Sequence, residues 1–180
     1  MAVRFLTILL LLMSCWVMAG TSNHRQGGTS IYFTQLGHLK HQAELGDPNA
    51  QFLLGNLYLS PPQDTSIRKN LPKAVEYYFQ AAIRNHAGAQ YNLGVMYYRG
   101  SGVAENKMMA SVWFSLAANN TSPAAKNVKR NAQKSLKDLT DLLSADDRAL
   151  SDAWILQVRE WIEKKNYRMA KLPVLNTTKQ

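Results

Sequence analysis

The chain has 180 residues, with 21 Lys and Arg against 12 Asp and Glu and a formal net charge of +9. That length suits one domain with a sizeable core, and a hydrophobic fraction of 46% excludes wholesale disorder. A single cysteine excludes an intrachain disulfide framework and any multi-cysteine zinc site.

Arg4 precedes an apolar run from Phe5 to Met13, and the apolar stretch ends by Gly20. One positive charge ahead of a short apolar run is the pattern of a secretory signal peptide, and the run is shorter than the ~20 apolar residues of a spanning helix. Val17 and Ala19 stand where a signal peptidase reads small residues, so residues 1–19 are expected to be a leader cleaved after Ala19. Leu12-Met13-Ser14-Cys15 is a loose lipobox, which leaves a lipidated Cys15 as one alternative and an uncleaved anchor as another. The expected location is periplasmic or secreted. Export disfavours nucleic acid as a partner in spite of the basic balance. Residues 20–30, polar and carrying Gly27-Gly28, read as a disordered lead.

Residues 31–165 read as one helical-repeat domain. Residues 50–59, AQFLLGNLYL, return as 89–98, AQYNLGVMYY, with Ala50/Ala89, Gln51/Gln90, Leu54/Leu93, Gly55/Gly94 and Tyr58/Tyr97 identical. Ala74, Tyr77, Tyr78, Ala81 and Ala82 correspond in the same way to Ala110, Trp113, Phe114, Ala117 and Ala118. The first copy has three extra residues, which fall in the proline-containing stretch Ser60-Pro61-Pro62-Gln63-Asp64. Within each copy the apolar positions recur at helical spacing, as at Ala50, Leu54, Leu57 and Tyr58. Two repeats are therefore expected, at about 50–85 and 87–120, each a pair of helices. Gly55 and Gly94 stand inside the first helix of each pair, where glycine costs ~1 kcal/mol relative to alanine. Their recurrence predicts a close approach by the partner helix, with the alanines at 81/82 and 117/118 opposite.

A C-terminal cap is expected at 122–165. Ser122-Pro123 opens a helix with Ala125, Val128, Ala132, Leu136 and Leu139 on one face. Ser144-Ala145-Asp146-Asp147 resembles a capping box, and Leu150, Trp154, Val158, Trp161 and Ile162 follow at helical spacing. The two helices are expected to form a closing hairpin, with residues 166–180 as a flexible tail. Tyr77, Tyr78, Trp113, Phe114, Trp154 and Trp161 read as core.

Leu93-Gly94-Val95-Met96-Tyr97-Tyr98-Arg99-Gly100-Ser101-Gly102-Val103 resembles the first half of the Sel-one-like repeat, a relative of the tetratricopeptide repeat. Asn70-Leu71-Pro72-Lys73-Ala74 with Tyr77-Tyr78 and Ala81-Ala82 resembles its second half, and Gln42 to Gly46 look like the end of a preceding unit. The first copy departs from the pattern by lacking the glycine loop, and the second has Met109 where Lys73 stands. The resemblance implies an all-α fold: a short solenoid of stacked helical hairpins. It also implies a non-catalytic adaptor that binds a protein or peptide along a concave face lined by the first helix of each hairpin. Asn56, Asn92, Met96 and Arg99 are the solvent-facing candidates for that face. The penicillin binding of cysteine-rich members is not implied for a chain without their disulfides.

Lys126, Lys129, Arg130, Lys134 and Lys137 fall on one side of a helix, with no acidic residue between 123 and 137. They read as a solvated face or as a surface for an acidic partner, an anionic glycan or a lipid. His38 and His41 are three apart, but two imidazoles without a third ligand make a weak metal site, and no metal or cofactor is expected. No nucleophile elbow or phosphate-binding loop occurs, so catalytic residues are not expected; a cell-wall-acting or β-lactam-reactive enzyme is the remaining alternative.

Overall fold

The computed structural model describes residues 27–63 and 65–167, with side chains from residue 34 onward. The leader at 1–19, Cys15 and most of the tail at 166–180 lie outside the described residues. The chain divides into two units, one ending at His38 and one from Leu39 on, and the second carries the repeats.

The described residues form α1 (Gly27–Glu44), α2 (Pro48–Leu59), α3 (Leu71–Ala82), α4 (Ala87–Arg99), α5 (Lys107–Ala118), a 3-10 turn (Pro123–Ala125), α6 (Lys126–Thr140) and α7 (Ala145–Glu163), and no strand. The fold is all-helical, a short solenoid. α1 starts at Gly27, inside the stretch read from sequence as a lead. Polar side chains set the helix starts by accepting a backbone N–H: Asp47 from Asn49, Asn70 from Lys73, Asn106 from Met109, and Ser144 from Asp147. The Pro48 and Pro72 rings sit in first turns, where a missing N–H costs nothing.

Within each repeat the first helix packs on the second, α2 on α3 and α4 on α5, and α3 packs on α4 between repeats. The inter-helix loops close at the same point despite their unequal lengths: Asn70 N donates to Tyr58 O, and Asn106 N to Tyr97 O, both at 2.9 Å. The second loop turns at Gly102 (φ 76°), which is pressed against Leu71 of the first repeat; a Cβ there would lie 2.4 Å from the Leu71 carbonyl carbon.

The close approach at Gly55 and Gly94 is present, but alanines do not supply it. A Cβ on Gly55 would stand 2.6 Å from the Tyr78 ring, and one on Gly94 2.7 Å from the Phe114 ring. The helices cross about one turn nearer the start of α3 and α5 than the alanines, so a flat ring fills the gap that the missing Cβ leaves.

The expected cap helices are present, and what the sequence left open is their seat. α6 and α7 both pack on α5, and α7 is tied there by a buried 2.7 Å hydrogen bond between the Ser111 and Ser151 hydroxyls. Val158 and Ser151 face inward, while Leu150 is 52% exposed, off the buried face. Trp154 and Trp161 are half-buried and meet edge to face, with centroids 6.2 Å apart. Tyr78, Trp113 and Phe114 are core, whereas Tyr77 is half-buried and stacks on Tyr58 at 5.6 Å. No described helix is long and apolar enough to cross a membrane.

Candidate functional site

α2 and α4 present neighbouring faces. Asn56 projects from α2 toward the Tyr78 hydroxyl, which donates to its Oδ1 at 2.6 Å. The Asn92 amide reaches the same oxygen at 3.5 Å. Burial pushes the Tyr78 phenol up to about 12, against the pull of the Asn92 amide. The structure thus brings two candidate residues together, half-buried, at the seam between the repeats.

Arg99 is exposed at the end of α4. Met96 is not: it is only 3% exposed and belongs to the core. The reason lies in its register. Ala89, Leu93, Met96 and Tyr97 are spaced as Ala50, Leu54, Leu57 and Tyr58, so Met96 shares the packing stripe of its helix. Its alignment with Leu57 is the signal that identifies it as core.

Beside Arg99, a cleft of about 190 Å³ opens between α4 and α6. Tyr91, Val95 and Tyr98 form its α4 wall, Phe114 its floor, and Asp138 and Leu139 line the α6 side. Tyr98 is 44% exposed, and Tyr91 lies against Phe114 with centroids 5.6 Å apart. An aromatic and aliphatic wall flanked by Arg99 and Asp138 suits an apolar side chain between polar backbone groups. These wall residues were missed from sequence, because α6 comes 27 residues after Arg99 and only the fold brings it alongside. The one sequence signal was Tyr98, an aromatic outside the packing stripe.

The repeat seams are held by buried amides. Gln51 Nε2 donates to Ala43 O at 2.9 Å, and Gln90 Nε2 to Ala82 O at 3.2 Å. The same contact at the same spacing makes the end of α1 the counterpart of the end of α3, as the Gln42 to Gly46 segment suggested. In the second seam Gln90 Oε1 also accepts from Asn120 at 2.9 Å. In the first, Gln51 Oε1 has no hydrogen-bond partner among the described residues.

Lys126, Lys129, Arg130, Lys134 and Lys137 are all exposed along α6, and none is in an ion pair among the described residues. Ala132 and Leu139 hold the opposite side of that helix in the core. Among the described residues no cluster of three His, Cys, Asp or Glu side chains could hold a metal ion.

A family model described as Sel1 repeat matches residues 48–86 and 87–122, the spans of α2–α3 and α4–α5. The fold is similar to that of c5321, a protective antigen present in uropathogenic Escherichia coli strains displaying an SLR fold. The TM-score is 0.57 at 22% identity, over 87% of this chain and 32% of that one. A Sel1 repeat protein from Oxalobacter formigenes matches at 35% identity with a TM-score of 0.43, over 52% of this chain and 26% of that one. The chain thus spans about a third of the length of the first of these structures. Comparison with curated proteins gives no match.

Proposed function

Two Sel1 repeats occupy residues 48–122 of this chain, and from that premise we propose that it is a non-catalytic adaptor that grips a protein segment on the α2–α4–α6 face. Sel1-repeat proteins are in general protein-interaction scaffolds. The observation that carries the reading is the cleft of Tyr91, Val95, Tyr98 and Arg99 facing α6, continuous in sequence register with the Asn56–Asn92 seam. It offers an apolar seat, flanking charges of both signs and amides for backbone contacts. The leader motif supports action in the periplasm or outside the cell, with Cys15 lipidation as the lesser alternative.

A crosslinking pull-down from the native compartment tests this. Wild-type protein captures a partner that Val95→Glu and Tyr98→Ala lose. Equal capture by all three sinks the reading.

The cations of α6, exposed and in no ion pair among the described residues, favour a second surface, for an anionic glycan or lipid. Binding there weakens steeply with salt. Retained ligand after charge reversal of Lys129, Arg130 and Lys134 rules it out.

A further inference from the structure

The two repeats differ at one corner. In the first, Arg84 turns back beyond the end of α3 and its Nη1 donates to Gln80 O at 2.9 Å. Its guanidinium lies against Gly46, where a Cβ would stand 3.4 Å from Nε, and beneath the Tyr167 ring at 4.6 Å. By repeat register the second copy has Asn85 for Gly46, Gln90 for Gln51, Leu116 for Gln80 and Asn120 for Arg84. Asn120 is shorter than arginine, and its amide is drawn sideways to Asn85 Oδ1 and Gln90 Oε1, both at 2.9 Å. Those four counterparts all line a pocket of about 440 Å³. The place that a guanidinium fills in the first repeat is open in the second.

We propose that this pocket binds a guanidinium or primary ammonium group, carried either by a free basic amino acid or by a basic side chain of a partner. The lining repeats the helix-end position of Gln80, whose carbonyl Arg84 uses, and replaces the Tyr167 ring with polar groups. Leu116 lies in the last turn of α5, whose carbonyl ends attract cations. The Asn119 amide donates to Ser115 O, leaving its oxygen as an acceptor. Glu163 adds a carboxylate from α7 that is in no ion pair among the described residues. Arg159, also on the α7 wall, is a competing cation. A carboxylate ligand would need Arg159 and be repelled by Glu163, so the two ligand classes respond oppositely to the two residues. The site is separate from the α4–α6 cleft and stands or falls independently of it.

Amide NMR titration of the full chain tests the proposal, with argininamide, an acetylated and amidated Gly-Arg-Gly peptide, and N-acetylglycine as probes. The arginine probes shift Asn119, Asn120 and Leu116 saturably. Glu163→Gln weakens them roughly tenfold, the loss of one charge-assisted contact, and Arg159→Gln tightens them. Asn120→Arg, which supplies its own guanidinium, abolishes binding. Because that variant also gives up the Asn120 hydrogen bonds, the exposed Glu163 variant carries the test if it misfolds. Tighter binding of the peptide than of argininamide identifies a protein side chain as the ligand, and the reverse a small molecule. No saturable shift with either arginine probe, no weakening in Glu163→Gln, or binding of N-acetylglycine that Arg159→Gln removes, overturns it.

Discussion

Gly94 meets Phe114 so closely that a Cβ at 94 would stand 2.7 Å from the ring carbons Cδ1 and Cε1, and Gly55 repeats the relationship with Tyr78. Phe114 is 3% exposed and packs among buried neighbours, so it can yield only toward the α4–α6 cleft it floors, at the cost of those contacts. Overpacking a core of this kind costs about 1–3 kcal/mol. The helical gain from glycine to alanine is at most ~1 kcal/mol. Gly94→Ala is therefore expected to lower stability in urea melts, and Gly94→Ala with Phe114→Leu to recover most of the loss. A Gly94→Ala variant as stable as wild type would mean that the two helices can part without cost.

The two seam glutamines predict unequal losses. Gln90 uses both ends of its amide, whereas Gln51 Oε1 is buried without a partner among the described residues. Leaving buried partners unpaired costs about 1–3 kcal/mol, while removing a group that is itself unsatisfied recovers part of that. Gln90→Met should destabilise more than Gln51→Met, by about 1 kcal/mol on that scale. Denaturant midpoints of the two variants, measured side by side, decide it.

The repeat could be read from the sequence because the glycine, glutamine and aromatic positions recur at one spacing, and burial confirms Leu54, Leu93 and Trp113 as core. What faces each glycine could not be read. Residues 78, 81 and 82 share one side of α3, and only the crossing point selects the ring. Asn120 was passed over for a related reason: its bonds to Asn85 and Gln90 span 35 and 30 residues. Periodicity describes one helix at a time. The α4–α6 cleft, the Asn120 corner and the placement of α6 and α7 on α5 are all contacts between helices.

His86 gives the junction between the repeats a pH dependence. Its Nδ1 accepts from Ala89 N at 3.0 Å, which requires an unprotonated nitrogen, and its ring stacks on Phe52 at 4.3 Å. Burial lowers its pKa below the ordinary 6.5, more strongly than its own backbone and the Asp47 carboxylate raise it. The unfolded chain therefore binds the proton first. The stability from neutral His86 is complete above about 6.5 and is lost as pH falls from there through the lowered folded value. His86→Asn keeps a good helix-capping side chain without the titration. It is expected to flatten the stability profile on the acid side of neutrality, and an unchanged profile would exclude His86 as its source.

The adaptor reading meets its most direct test in a photo-crosslinking amino acid placed at position 98, in the cleft, and separately at position 150, on the exposed side of α7. The account predicts a discrete protein adduct from position 98 in the native compartment and none from position 150. Adducts from 150 alone, or none from 98 while the α6 cations still retain an anionic polymer, would contradict it.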